Sequence, residues 1–130
     1  MNLEAVAERL EQDGVGEQGK TIFINHMPDT CQDGILLRLP FGGTPIDYEL
    51  PNYRTTEFWV VSRAKDYLAA RDRIEQAVAS LNNPHGAGTS LTGMKVNYIR
   101  ATTEPVHFPK TAGNYLEFLV IFEANYVIVS

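Results

Sequence analysis

Few side chains in this sequence could carry out covalent chemistry. The only cysteine, Cys31, would need His26, His85 or His107 beside it to act as a nucleophile, and a metal site would draw on the same residues. His26 and Cys31 flank a turn at Pro28, which is not a known ligand spacing, and no His-Glu-x-x-His or Cys-x-x-Cys motif occurs. The sequence therefore predicts no catalytic residue and no bound metal.

Two further segments contain residues that can bind phosphate or transfer protons. The glycine-rich residues 86–91 lack the third glycine of a dinucleotide fingerprint and the lysine of a Walker loop, so we interpret them as a flexible connection. Asp47 and Glu49 could form an acid–base pair, but neighbouring acids on an exposed loop are usually only solvated. We therefore predict no cofactor and no enzymatic activity.

Composition predicts a single folded domain over residues 1–130. With 44% hydrophobic and 21% charged residues, the chain can bury a core without disulfides or metals. Its first residues form neither a basic nor a long apolar segment. The apolar run near residue 129 is shorter than the roughly 20 residues of a membrane helix and contains Glu117 and Glu123. We expect a soluble protein with no membrane partner.

Acidic residues outnumber basic ones in two segments, residues 1–20 and residues 29–57, and the formal net charge is −5. No stripe of lysine and arginine occurs of the kind that neutralises a row of phosphates. An acidic surface repels DNA. The sequence therefore predicts no specific binding of nucleic acid.

Local patterns predict two helices and five strands. Apolar residues at helical spacing indicate helices over residues 3–12, with Asn2 as N-cap, and over residues 66–81, with Asp66 as N-cap. Runs rich in β-branched and aromatic residues indicate strands over residues 20–26, 34–41, 57–64, 91–103 and 115–129. The predicted fold is α+β: a twisted, mostly antiparallel sheet of about five strands, with two flanking helices and a long C-terminal β-hairpin.

The last predicted strand, residues 115–129, is apolar on both faces. A strand with one wet face should alternate apolar and polar residues. Fully extended, this strand would be roughly 45–50 Å long, whereas a compact chain of this size is about 36 Å across. It should therefore bend or project. We expect the face that carries Ile121 and Val127 to be covered partly by one of the helices and partly by a neighbouring subunit.

Aromatic residues fall into two groups. Those at strand positions are predicted to lie in the core: Phe23, Phe58, Trp59, Phe118 and Phe122. Those in two proline-containing loops, residues 42–56 and 103–114, have less reason to be buried, and aromatic side chains are common at interfaces. The predicted interface residues are Tyr48, Tyr53, His107, Phe108, Ile121 and Val127, with local packing as the alternative for the four aromatic loop residues.

Several of these segments together resemble a known family. They are residues 22–29 (Ile-Phe-Ile-Asn-His-Met-Pro-Asp), 34–37 (Gly-Ile-Leu-Leu), 42–45 (Gly-Gly-Thr-Pro) and 59–67 (Trp-Val-Val-Ser-Arg-Ala-Lys-Asp-Tyr). In this order they are similar to the tail terminator or minor capsid proteins of long-tailed bacteriophages. The motifs are patterns of strand, turn and helix, and the resemblance covers most of the chain.

The resemblance implies a structural role in the virion, in the region of the tail and neck. Tail terminators assemble as a ring, commonly a hexamer, that caps the tail tube, stops its polymerisation and joins the tail to the head or neck. The implied partners are other copies of this chain, the tail tube protein and a neck or head-completion protein, and assembly would take place in the cytoplasm of the bacterial host. DNA would pass unbound through a lumen lined by one of two acidic segments, residues 4–17 or residues 47–57.

Two other functions remain as alternatives. A head-completion or neck adaptor protein would come from the same kind of virion and would bind portal complexes instead of tube ends. A small enzyme or ligand-binding module would use the loops at residues 42–56 and 103–114 as the walls of a pocket, but it would need convergent polar groups that the sequence does not show.

Overall fold

The computed structural model describes residues 2–28, 30–40, 46, 49–50, 52–83, 90–108 and 115–128. It has two helices and one open mixed sheet, so the predicted α+β class is confirmed. In chain order the elements are α1 (Leu3–Gln12), β1 (Ile22–Ile24), β2 (Gly34–Arg38), β3 (Tyr53–Ala64), α2 (Tyr67–Leu81), β4 (Ser90–Leu91), β5 (Met94–Ala101), β6 (Val106–Phe108) and β7 (Leu116–Ile128).

Both helices form where their apolar spacing predicts them. Asn2 caps α1, because its side-chain oxygen accepts a hydrogen bond from the backbone N–H of Ala5 at 3.3 Å. Asp66 occupies the predicted N-cap position of α2 in an extended conformation, but its side chain makes no capping hydrogen bond. Neither helix is long and apolar enough to cross a membrane, and no other helix occurs in the described residues.

The sheet has the strand order β1-β2-β3-β7-β5-β4, and β6 also pairs with β7. The β7 strand lies near its centre and is hydrogen-bonded on both sides. On one side β3 pairs with it from residue 116 to residue 127, and on the other side β5 and β6 share its length. The predicted hairpin of β5 with β7 is confirmed, but β7 does not project as a free ribbon, because neighbouring strands use its backbone groups.

Long-range pairing changes several predicted boundaries. The β3 strand begins at Tyr53, four residues before its predicted start at residue 57, because β7 is long enough to pair with the extra residues. For the same reason a short strand, β6, forms in the second predicted loop. The predicted strand at residues 91–103 is divided into β4 and β5 by a turn in which Gly93 adopts a φ of 79°. These additions raise the number of strands in the described residues from about five to seven, and among these strands β1 and β2 are the pair that runs in parallel.

A β-bulge in β5 moves the side chain of one aromatic residue to the other face of the sheet. Strict alternation would place Tyr98 on the same face as Met94 and Val96. Val96 pairs with Tyr126, whereas Tyr98 pairs with Asn125, so Asn97 is the extra residue. Met94 and Val96 are buried, and Tyr98 faces the other side of the sheet.

One hydrophobic core lies between the two helices and one face of the sheet. Phe58, Phe118 and Phe122 belong to it as predicted, and the rings of Phe58 and Phe122 stack at 5.3 Å. Phe23 and Trp59 do not, because they are half-buried on the opposite face. Both helices pack on the core side. The expectation that a helix helps to cover the Ile121 face is therefore wrong.

Candidate interaction surfaces

The sheet face opposite the helices, which we call the open face, carries a row of apolar residues. The strand registers place the row's members side by side: Phe23 on β1, Leu36 on β2, Val61 on β3, Leu119 on β7 and Val106 on β6. Trp59 and Ile121 pair in the adjoining row, next to Arg38. All but the exposed Val106 and Arg38 are half-buried. No described helix covers this face, and its apolar side chains keep part of their surface exposed.

An ion pair borders the apolar rows on one side. The Arg63 and Glu117 side chains, both largely buried, lie 3.2 Å apart. Arg63 also donates to the backbone carbonyls of Pro28 and Cys31, each at 3.3 Å, and its guanidinium lies 5.2 Å from the centre of the Tyr115 ring. The Arg63 guanidinium thus links the segment before β2 to the start of β7, and the apolar rows end at this ion pair.

A polar network occupies the other half of the open face. The buried Asn125 amide donates to the Tyr53 hydroxyl at 2.6 Å and to the Thr55 hydroxyl at 2.8 Å, and its oxygen accepts from Asn97 at 2.7 Å. Its oxygen and both of its N–H bonds therefore have partners, as a buried amide requires. The bulge at Asn97 brings that residue within reach. This half of the face is held together by specific hydrogen bonds.

A second polar cluster adjoins the network. The Tyr98 hydroxyl donates to the Glu123 carboxylate at 2.6 Å, and Arg100 donates to the same oxygen at 3.0 Å. The hydrogen bond from Tyr98, followed by the attraction of Arg100, holds the pKa of Glu123 below its ordinary value. The same hydrogen bond raises the pKa of Tyr98, because ionisation would remove the donated proton. The cluster is compatible with a structural role, since each charged group already has a partner in the fold.

Two exposed apolar patches lie at opposite ends of β7. The Leu50 patch consists of Leu50, Tyr53 and Val127, which line one shallow concavity together with Glu49 and Asn52. The Leu68 patch consists of Tyr67, Leu68 and His107. The His107 ring lies 5.4 Å from the Tyr67 ring and 5.1 Å from the Phe118 ring. Leu50, Tyr53, Tyr67 and Leu68 are each between 38% and 55% exposed. Exposed large apolar side chains that cluster in this way are typical of interaction sites.

The predicted interface residues are distributed over these surfaces. Tyr53 and Val127 pair directly across β3 and β7 and belong to the Leu50 patch. His107 belongs to the Leu68 patch, and Phe108 follows it in β6. Ile121 lies on the open face, and Tyr48 lies outside the described residues. Both Tyr53 and His107 are in strands, whereas the sequence placed them in loops.

Sequence reasoning missed the leucines and tyrosine that complete the two patches. Helical spacing places Tyr67 on the same stripe as the buried Ala70 and Ile74, but Tyr67 is the exposed first residue of α2. Leu68 lies off that stripe. A large apolar residue on the solvent-exposed face of a helix is a signal that could have identified Leu68 as a candidate interface residue. Leu50 had no such signal, since no periodic pattern surrounds it.

The residues considered for catalysis are not brought together. His26 is exposed, His107 packs on aromatic rings, and His85 lies outside the described residues. The half-buried Cys31 thiol contacts the backbone carbonyl of Asp33 at 3.4 Å, and its described hydrogen bonds include none to a histidine. The described residues contain no group of three or more potential metal ligands.

Comparison with known proteins identifies the family. The family model described as "Bacteriophage tail terminator protein" matches residues 9–128, which is most of the chain. The chain belongs to this family. The resemblance noted in the sequence is thereby confirmed, and this member of the tail terminator family is a structural protein of a phage tail, with a place in the virion.

A solved structure has the same fold. A chain in the "Virion of native gene transfer agent (GTA) particle" superimposes with a TM-score of 0.69 at 12% sequence identity, covering 97% of this chain and 94% of the other. At this identity the similarity applies to the fold alone. Comparison with curated protein sequences gave no match.

Proposed function

We propose that this protein forms a ring of its own copies, a hexamer, that caps the end of the phage tail tube. The ring stops polymerisation of the tube and presents a surface to a neck or head-completion protein. The observation that carries the proposal is the match to the tail terminator family over residues 9–128. The domain extends over residues 1–130 and works by binding, without catalysis or a cofactor.

The open face supports an assembled state. Its apolar rows remain partly exposed in the single chain, and contact with another subunit would remove that surface from water, at about 25 cal/mol for each Å² of apolar surface buried. A neighbouring subunit covers the part around Trp59 and Ile121. The polar network around Asn125 needs no such cover, because its hydrogen bonds are complete.

The exposed acidic residues suit a lumen through which DNA passes without binding. On α1, Glu4, Glu8 and Glu11 are exposed and lie within two turns of one another. The alternative lumen segment contains the exposed Glu49 and Glu57. Carboxylates on a lumen wall repel the phosphate backbone and leave the DNA free to move. The ring occupies the junction of tail and neck and assembles in the cytoplasm of the bacterial host.

The test measures assembly and tube binding together. Wild-type protein should form rings, visible by negative-stain microscopy and by light scattering, and these rings should bind the ends of purified tail tubes. The variant Ile121→Lys should sediment as a monomer, because it places a charge in the middle of the open face. Gln76→Lys adds the same charge to the exposed side of α2, in the other layer, and should still form rings.

Two results would decide against the proposal. Wild-type protein that stays monomeric at high concentration in the presence of tube ends would contradict the ring. Rings that bind portal complexes and ignore tube ends would identify the protein as a neck adaptor instead. Circular dichroism of each variant shows whether the fold is intact.

A further inference from the structure

We infer that neighbouring subunits meet head to tail, with the Leu50 patch of one copy packed on the Leu68 patch of the next. This inference rests on the proposed ring of identical subunits and specifies its contact. The two patches differ in residues and shape. A contact between them is therefore heterologous, the type that produces rings when the rotation between subunits closes.

The positions of the patches allow one copy to make both contacts at once. Val127 of the Leu50 patch pairs with Tyr53, and Phe118, beside the Leu68 patch, pairs with His107. These two positions on β7 are nine residues apart, which corresponds to about 30 Å of extended strand. Each subunit can therefore bind one neighbour at either end of its central strand.

The composition of both patches suits burial. Each has an exposed leucine, Leu50 or Leu68, beside an exposed tyrosine, Tyr53 or Tyr67. Tyrosine is enriched at interfaces, because its large rigid ring is buried at small cost in conformational entropy while its hydroxyl can remain hydrogen-bonded. Leu50 adjoins a shallow concavity that can receive a side chain of the partner.

The charges around the two patches are complementary. Lys95 pairs with Val127 at the edge of the Leu50 patch, and it forms no ion pair with the described residues. Asp66 immediately precedes Tyr67 of the Leu68 patch and Glu104 lies three residues before His107, and neither forms an ion pair with the described residues. Packing the two patches together gives these carboxylates a lysine partner, which favours a second copy of this chain as the occupant.

Strand addition at the free edge of β6 is a less suitable way to bind a neighbour. The backbone carbonyl of Ile121 is directed toward β5 and β6, because it accepts a hydrogen bond from the N–H of Thr102 at 2.8 Å. Backbone groups alternate in direction along a strand, so those of Val106 bond to β7 while those of residues 105 and 107 are directed away from β7. Pro105 has no N–H to donate, so only His107 could pair with an added strand. Contact through side chains is the mode that this edge permits.

The decisive experiment uses one variant for each patch. Leu50→Glu disables the first patch and Leu68→Glu disables the second; both positions are exposed, so circular dichroism and thermal melting should match the wild type. Each variant alone should lose the ring and sediment as a monomer. Mixed in equal amounts they should form a dimer and nothing larger, because each retains one patch that fits the intact patch of the other.

A matched control and three outcomes make the result decisive. Gln76→Glu, on the same helix as Leu68, should form normal rings. Rings from either patch variant alone, or a dimer formed by one variant without the other, would overturn the head-to-tail contact while leaving the proposed ring in place. A mixture that stays monomeric would overturn it as well. Wild-type protein that never assembles would instead reject the proposed ring on which the inference rests.

A charge exchange tests the same contact independently. Lys95→Glu and Glu104→Lys should each raise the concentration at which rings dissociate by about tenfold, since each places like charges across the contact. Combining the two changes in one chain should restore assembly toward the wild-type concentration, because the pair is then reversed. Additive weakening in the combined variant would show that these two residues do not face each other.

Discussion

Replacing Phe122 or Ile121 by alanine removes a large side chain from opposite faces of the same strand. Phe122 is fully buried between the sheet and the helices and stacks on Phe58 at 5.3 Å. Ile121 lies next to it on the open face, half-buried and paired with Trp59. The two alanine variants therefore measure how well each face is covered in the single chain.

The expected losses of stability differ for a physical reason. Phe122→Ala removes a buried ring and leaves a cavity that the surrounding core cannot fill, which costs about 3–5 kcal/mol. Ile121→Ala removes three carbon atoms, worth about 0.8 kcal/mol each if fully buried. With no helix packed above it no cavity forms, so the loss should be about 1–2 kcal/mol. The difference between the variants should be about 1–4 kcal/mol.

Urea denaturation of dilute, monomeric protein gives these free energies of unfolding directly. Equal losses for the two variants would refute the reasoning, since they would mean that Ile121 is as well covered as Phe122 within one chain. Light scattering at high concentration supplies the second measurement. Ile121→Ala should weaken assembly in protein that is still folded, whereas Phe122→Ala should reduce the amount of folded protein.

Three further changes test single interactions in the fold. Ser62→Ala removes a buried hydroxyl that donates to the carbonyl of Ala70 at 2.8 Å, and urea denaturation should show a loss of about 1 kcal/mol. Gly93→Ala should cost about 1 kcal/mol in the same assay, because φ is 79° and an added Cβ would meet only the Asn2 side chain at an unstrained 4.0 Å, so backbone strain acts alone. Tyr98→Phe should remove part of the pH dependence of stability. The pKa of Glu123 is lowered in the fold, so the extra free energy of unfolding of the wild type over the variant is present above pH 4.5 and is lost as the pH falls through the lowered value. The pKa of Tyr98 is raised, so the same extra free energy of unfolding also declines as the pH rises above 10. A constant difference between the two proteins from pH 3 to pH 11 would contradict this explanation.

Local sequence patterns predicted the helices better than the strands. The range predicted for α1 agrees with the structure, and α2 begins one residue after Asp66, because apolar spacing and flanking residues act within a few turns. The β3 strand and β6 were mispredicted at Tyr53 and His107. Whether an extended segment becomes a strand depends on a partner far away in the sequence, and here both segments depend on β7.

The candidate surfaces were predicted in part. Tyr53, Val127 and His107 were named from composition and do lie on or beside exposed apolar patches, although their role in binding is still a prediction. Leu50 and Leu68 were not named, because the exposure of a single leucine depends on what the rest of the chain leaves uncovered. Strict alternation along β5 would place Tyr98 on the core face, because a one-residue bulge cannot be predicted from alternation alone.

The sequence by itself determined that this protein has two amphipathic helices, a predominantly β remainder, no motif for catalysis or metal binding, and segments that resemble tail terminators. These properties are encoded in residue type and short-range spacing. Only the tertiary structure decided that β7 lies near the centre of the sheet, that both helices pack on the Phe122 face, and that the Ile121 face stays open. A strand that is apolar on both faces fits either orientation equally well, and the choice is made by the joint packing of all the elements around one core.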